Sequence, residues 1–261
     1  DRYESVGSYY ADKARLFENA DTDSMWVLNR DVPEVETLAG DAPGRRFWFS
    51  LGDTSGAQAF LRRGKLVLDL GSEAPEPLLG GEELPTLGRH NVANALAALL
   101  TARLAGVPGE SMAGGMRSFR PLPHRLQLVA EVDGIRWVND SKATNVAATV
   151  GALESLKGPL VLLLGGKDKG EDFAPLRQAM HPGVRTVVLY GQAGGRLSAA
   201  LGDAVPQRLV GGTFEEAVAA ARAEARPGYL ILLSPGCSSF DMFQDYVARG
   251  ARFSALARGE A

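Results

Sequence analysis

The feature that most narrows the fold is an alternation in the second half of the chain. Strand-like runs occur at 126–132, 135–138, 160–164, 186–190, 207–210 and 229–233. After the first pair they are separated by helix-like stretches at 145–156, 172–180, 194–201 and 213–226, and a long helical pattern at 240–256 closes the series. Strands alternating with helices build a parallel, doubly wound sheet. Asp133-Gly134 between the first two runs is a hairpin signal, so the sheet should open with an antiparallel pair. Thr213 can cap its helix, with Glu216 three positions on completing a capping box. In such sheets ligands lie outside the carboxyl ends of the strands, which directs attention to the strand-to-helix turns.

The first half is less regular. Residues 5–19 have apolar side chains at roughly helical spacing, and 25–28 and 47–51 are strand-like. Runs at 58–62 and 65–70 flank Arg63-Gly64, a hairpin turn. The stretch GSEAPEPLLGGEELP, 71–85, reads as a loop. The Ala/Leu-rich segment 88–106 predicts a helix with Gly106 as its C-cap and Pro108 just beyond. A shorter helix should run from Pro108 to about Phe119. Pro121 and Pro123 break any helix and stiffen the chain, and the domain boundary is placed there, giving domains 1–120 and 121–261. There is no internal repeat.

Composition removes several classes. A formal net charge of -3 offers no basic footprint for nucleic acid or an anionic membrane. The apolar runs are strand-length, far short of a bilayer span. One cysteine, Cys237, excludes an internal disulfide and fits a reducing compartment. With no secretory signal, the expectation is a soluble cytoplasmic protein; a monomer is also expected.

Three turns carry dense polar chemistry. In NDSKATN, Asp140 and Lys142 fall on the turn or the first helical residues, where free amides favour anions and a lysine adds a full charge. Capping by Asp140 or Ser141 is the plainer use of the same residues. In GGKDKGEDF, Gly165 and Gly166 allow a sharp turn, and Lys167 and Lys169 should face the same crevice; a solvated loop is the plainer reading. In SPGCSSFDMF, Ser238 and Ser239 precede the helix expected at 240–256, with Asp241 in its first turn, which forms a carboxylate or phosphate seat or simply a cap. There is no GxxxxGK[ST] loop, GxGxxG fingerprint or GxSxG elbow. The missing GxGxxG argues against a dehydrogenase. His90, Asn91 and Asn94 open the 88–106 helix, where two amides on one face can read a base edge or cap. His124 and Arg125 lie at the boundary, and Arg125 is suited to phosphate.

The stretches DRYES, YYADKARLFENA, GRHNVANALAAL, LPHR, VNDSKATN, LLLGGKDKG and LSPGCSSFDMFQDYVARGARF together resemble the Mur ligases, ATP-dependent amide-forming enzymes of peptidoglycan synthesis. The NDSKATN and SPxCSSFDxF pair points within them to the D-glutamate-adding branch. Sister ligases, including the folate-polyglutamate synthases, usually carry a DY-type turn instead.

The resemblance implies a C-terminal Rossmann-like sheet, preceded by the later part of a central α/β ATPase domain. The N-terminal domain, the P-loop and the metal-binding Glu and His before DRY would lie outside this sequence, so the segment alone is expected not to turn over. The implied cofactors are ATP and Mg2+, and the implied substrates are UDP-N-acetylmuramoyl-L-alanine and D-glutamate. Lys13 matches a carbamylated lysine that supports a second Mg2+; on its own it reads as a helix-surface cation. His90, Asn94, Arg125 and Asp140 match the ATP site. Lys142, Thr144, Lys169, Ser239, Phe240 and Tyr246 match the D-glutamate pocket. The implied catalytic residues are Lys13, Asp140 and Lys142. On the expected helix Tyr246 lies seven residues after Ser239, so the two would share a face. Pro121 and Pro123 are expected to act as a hinge. The alternative of another class is a non-catalytic module that binds a nucleotide or an acidic metabolite.

Overall fold

In the computed structural model, which describes residues 5–52, 56–71, 74–86, 88–156 and 158–260, local signals and tertiary packing agree over most of the chain. Asp1 to Glu4 of the DRYES motif lie outside the described residues. The chain forms two compact units, one of residues 1–85 with 89–120 and one of 121–261 with 86–88. No helix among the described residues is long and apolar enough to cross a membrane.

The first unit runs α1 (Val6–Ala14), β1 (Met25–Asn29), α2 (Pro33–Ala39), β2 (Arg45–Ser50), β3 (Ala59–Arg62), β4 (Lys65–Leu68), β5 (Glu76–Gly80), α3 (Arg89–Leu104) and α4 (Gly109–Ser118). Its sheet has the order β1-β2-β3-β4-β5, parallel from β1 to β3 and antiparallel thereafter. Leu96, Leu99 and Leu100 of α3 are buried against Phe49, Ala59, Leu66, Leu68 and Leu79 of the sheet. Gly106, with φ 85°, closes α3. Its amide bonds Arg103 O at 2.9 Å, and the Val107 amide bonds Ala102 O at 3.0 Å, the paired pattern that satisfies the last carbonyls.

Two elements depart from the sequence reading. β5 lies inside the stretch read as a loop. Its Pro77 cannot donate to a ladder, but β5 is the edge strand, where a missing donor costs little. Helix α2 was not foreseen; it has Pro33 at its start and Glu34 and Glu36 in its first turn, all favourable there.

The second unit runs β6 (Gln127–Val132), β7 (Ile135–Asn139), α5 (Val146–Ser155), β8 (Leu160–Gly165), α6 (Ala174–Ala179), β9 (Val184–Tyr190), α7 (Gly194–Leu201), β10 (Gln207–Leu209), α8 (Phe214–Glu224), β11 (Leu230–Gly236) and α9 (Tyr246–Ala257). The strand order is β10-β9-β8-β11-β7-β6, all parallel except β6. Asp133 and Gly134 both take positive φ, 54° and 72°, as a two-residue hairpin turn requires. Alternate strand residues divide between the faces. Leu160, Leu162, Leu164, Val187, Leu189 and Leu232 pack with α5, α6 and α7, whereas Val161, Leu163, Val188, Ile231, Leu233 and Trp137 pack with α8 and α9. The sheet is therefore doubly wound. The helices leaving β7 and β8 cover one face, and the helix leaving β11, the strand between them, covers the other. That opens a crevice at the carboxyl end of β11.

The helix expected at 240–256 begins later, at Tyr246. Asp245 wins the cap, its Oδ1 accepting the Ala248 amide at 2.7 Å. Residues before it are held in turns: Ser239 O accepts the Met242 and Phe243 amides, and Lys167 N donates to Ser238 O at 2.8 Å. Ser238 and Ser239 therefore do not sit at a helix N-terminus, and Ser239 and Tyr246 do not share a helix face.

Candidate active site in the second unit

The turns after β7, β8 and β11 meet on one sheet edge. The Gly236 amide bonds Ala143 O at 3.0 Å, joining the β11 turn to the β7 turn, and the Lys167–Ser238 pairing joins the β8 turn to the β11 turn. Backbone bonds between turns require close approach, which the glycines permit. A Cβ on Gly165 would stand 2.0 Å from Tyr190 O, and one on Gly166 would stand 2.3 Å from Ser238 O.

Asp140 is the first residue beyond β7 and is 8% exposed. Its Oδ2 accepts the Ser234 hydroxyl at 2.8 Å and its Oδ1 the Leu126 amide at 3.2 Å. Burial pushes its carboxyl up to about 7, against the pull of Ser234, Leu126 and the Arg125 charge. Neither Asp140 nor Ser141 caps α5; Asn145 does, accepting the Ala148 amide at 2.9 Å.

The segment that binds Asp140 is strained. His124 and Leu126 take φ of 63° and 42°, costing about 1–3 kcal/mol each for bulky side chains. Three contacts hold it there: His124 O accepts the Lys142 amide at 3.0 Å, the His124 amide donates to Gln127 Oε1 at 3.1 Å, and Leu126 is bound to Asp140. Burial lowers the His124 pKa, which favours the neutral ring, and its Nδ1 lies 3.1 Å from Asn139 Nδ2. Arg125, between the two strained residues, is exposed.

Lys142 and Tyr246 form a pair, with Nζ 4.0 Å from the ring centre. The His124 ring meets the same tyrosine edge-on, centroids 6.2 Å apart. Thr144 is half-buried two residues on. Lys169 reaches the same edge from the β8 turn, its Nζ 3.4 Å from Glu171 Oε1, while Glu171 Oε2 accepts the Val146 amide at 3.0 Å. Ser239 is 2% exposed and Phe240 is 65% exposed. Asp241, expected in a helix first turn, instead accepts the Gln192 amide at 3.0 Å. Cys237 is buried, which pushes its thiol up to about 12 and leaves it a poor nucleophile.

Sequence reasoning passed over Arg249. Its side chain is fully buried and bonds Ser141 and Cys237, and no carboxylate among the described residues pairs with it. An arginine on an amphipathic helix reads as solvated; only the tertiary fold reveals its burial. Glu171 and Ser234 were also missed, because their partners are 25 and 94 residues away.

The remaining candidates lie in the first unit. Lys13 is in the last turn of α1, exposed, with Nζ 5.3 Å from the Tyr9 ring centre. His90 and Asn94 are exposed on the first turns of α3. Among the described residues no three His, Cys, Asp or Glu side chains converge as a metal seat.

The two units and the edge of the second one define a class. Residues 1–102 match the Mur ligase middle domain, and residues 124–237 match the Mur ligase, glutamate ligase domain. The chain belongs to the Mur ligase family. It is 41% identical over 257 residues to the UDP-N-acetylmuramoylalanine--D-glutamate ligase of Acidobacterium capsulatum, covering 98% of this chain and 56% of that protein. The ligase of the same name from Nitrosococcus oceani is 41% identical over 263 residues, covering 99% and 56%. The chain thus spans little more than half the length of these relatives. Among solved structures, MurF ligase from Thermotoga maritima in complex with ADP superposes with a TM-score of 0.67 at 14% identity, over 100% of this chain and 59% of that one. Mycobacterium tuberculosis folylpolyglutamate synthase, complexed with ADP and AMPPCP, gives 0.63 at 18%, over 99% and 61%. At such identities the likeness is one of fold.

Proposed function

We propose that this chain is the nucleotide- and amino-acid-handling part of a ligase that joins D-glutamate to UDP-N-acetylmuramoyl-L-alanine at the expense of ATP, in cytoplasmic peptidoglycan synthesis. The observation that carries the reading is the convergence of Lys142, Thr144 and Lys169 on one sheet edge, in a sequence 41% identical to ligases named for that reaction.

The chemistry proceeds in two transfers. The substrate carboxylate takes the γ-phosphoryl group of ATP, giving an acyl phosphate and ADP. The free amine of D-glutamate then adds to that carbonyl, loses a proton, and the tetrahedral adduct expels phosphate to leave the amide. In this reading Lys142 and Lys169 hold the two D-glutamate carboxylates, Thr144 and Ser239 orient them, and Tyr246 and Phe240 supply apolar walls. Fixed cations of this kind also stabilise charge that builds up on the leaving phosphate. Arg125 serves the ATP phosphates and Asp140 the ribose; in the first unit, taken by itself, His90 and Asn94 are the residues suited to the adenine. Lys13 joins this scheme only as a carbamate, an anion fit to support Mg2+.

The test is ADP release by the intact protein. It should require both UDP-N-acetylmuramoyl-L-alanine and D-glutamate. Release with L-lysine or meso-diaminopimelate in place of D-glutamate would assign a sister reaction. Nucleotide binding with no turnover on any of these would favour a sensing module.

A further inference from the structure

The guanidinium of Arg249 sits where all three turns meet. Its Nε donates to Ser141 Oγ at 3.0 Å, its Nη2 to Ser141 O at 2.9 Å, and both Nη atoms to Cys237 O at 3.2 Å. The third turn closes over it: a Cβ on Gly166 would come within 3.1 Å of Nη1. Burying a guanidinium without a paired carboxylate is expensive. Among the described residues its hydrogen bonds go to neutral oxygens, so it stabilises a geometry rather than a charge pair.

Ser141 passes the constraint on. Having accepted from Arg249, its hydroxyl donates to Tyr246 O at 2.8 Å, and its amide donates to Asn139 Oδ1 at 3.0 Å. Tyr246 is three residues before Arg249 on α9, and Ser141 is next to Lys142. The Lys142 ammonium rests over the Tyr246 ring, which closes the circuit. Cys237, the other acceptor, is two residues before Ser239.

We propose that Arg249, acting through Ser141, is a positioning residue that sets Lys142 over Tyr246 and fixes the spacing between the Lys142 and Ser239 turns, and so determines how tightly the site takes a carboxylate-bearing amino acid. The assignment of that ligand rests on the proposed function; the network does not. A cation on a flexible four-carbon stem loses much of its value if it must be ordered at binding. Here the ordering is done in advance.

The experiment uses the 261-residue chain labelled with 13C-lysine, with D-glutamate as the probe. The Lys142 methylene signal, identified by its loss in Lys142→Arg, should lie upfield because of the tyrosine ring current. Ser141→Ala should move it toward the position of exposed lysines, leave the Lys169 signal in place, and weaken D-glutamate binding about five- to tenfold. Arg249→Met should do the same and more; if it does not fold, Ser141→Ala decides. A general loss of stability would lower the melting temperature without moving the Lys142 signal alone. Unchanged Lys142 shift and unchanged D-glutamate affinity in a cooperatively melting Ser141→Ala protein would overturn the proposal. Failure of the wild-type chain to bind D-glutamate would refute the reading of the ligand, while the Lys142 signal would still support or overturn the positioning.

Discussion

Glu171 accepts the Val146 amide with one carboxylate oxygen, at 3.0 Å, and faces the Lys169 ammonium with the other, at 3.4 Å. A residue of the turn after β8 thereby completes the first turn of the helix after β7. An anion at a helix N-terminus is favourable both as an acceptor and toward the helix dipole. The ion pair itself is half-exposed and contributes little to stability.

Glu171→Ala should therefore cost about 0.5–2 kcal/mol, in the range of other helix caps. Glu171→Gln, which can still accept the Val146 amide, should cost less. Urea unfolding of the two variants checks this, and equal midpoints for Glu171→Ala and wild type would show that the cap carries no weight.

Gly166→Ala should destabilise the second unit severely, by about 2 kcal/mol or more. Its φ is 130°, and the added Cβ would meet the Ser238 carbonyl, which is backbone and cannot swing aside. Gly151 in α5 is the control: nothing lies within 4 Å of its Cβ position. Gly151→Ala should stabilise by roughly 0.5–1 kcal/mol. Thermal melts of both variants settle the contrast.

Asp140 predicts a pH dependence of stability. Its carboxyl is raised from 3.8 to about 7 by burial. The folded state then holds a proton that the unfolded state has released, so folding takes up a proton between those values. The contribution is complete below about pH 4 and is lost as the pH rises through about 7. Asp140→Asn removes the titration. The stability of wild type relative to Asp140→Asn should fall as the pH is raised from about 4 to about 8. A difference that stays flat across that range in denaturant titrations would mean Asp140 is ionised throughout.

Tyr246→Phe should keep the seat of Lys142, whereas Tyr246→Leu should lose it, a cation–π contact being worth about 0.5–2 kcal/mol. D-glutamate binding measured by calorimetry should weaken several-fold in the leucine variant alone. In the intact enzyme, Lys142→Ala should raise the D-glutamate KM and lower kcat; both unchanged would remove Lys142 from the site.

Elements with strong local signals were legible without coordinates. The Asp133-Gly134 hairpin, the Thr213–Glu216 capping box and the Gly106 helix end form as their residues require. β5 and the start of α9 were not legible. An edge position forgives Pro77, and the choice of Asp245 over Ser238 or Ser239 as cap depends on the Lys167–Ser238 pairing, a contact between distant segments.

The sequence by itself determined the alternation of strands and helices, hence a doubly wound sheet, and the three turns where polar side chains gather. Periodicity and turn chemistry are local, and local energetics suffice for them. Only the tertiary structure decided how deeply each of those side chains is buried and what it bonds. Asp140 is buried on Ser234 and Leu126, Arg249 is buried on Ser141 and Cys237, and Lys142 is left over Tyr246. Burial and desolvation are properties of the assembled sheet edge, where residues about 100 positions apart in sequence come into contact, and no local pattern encodes them.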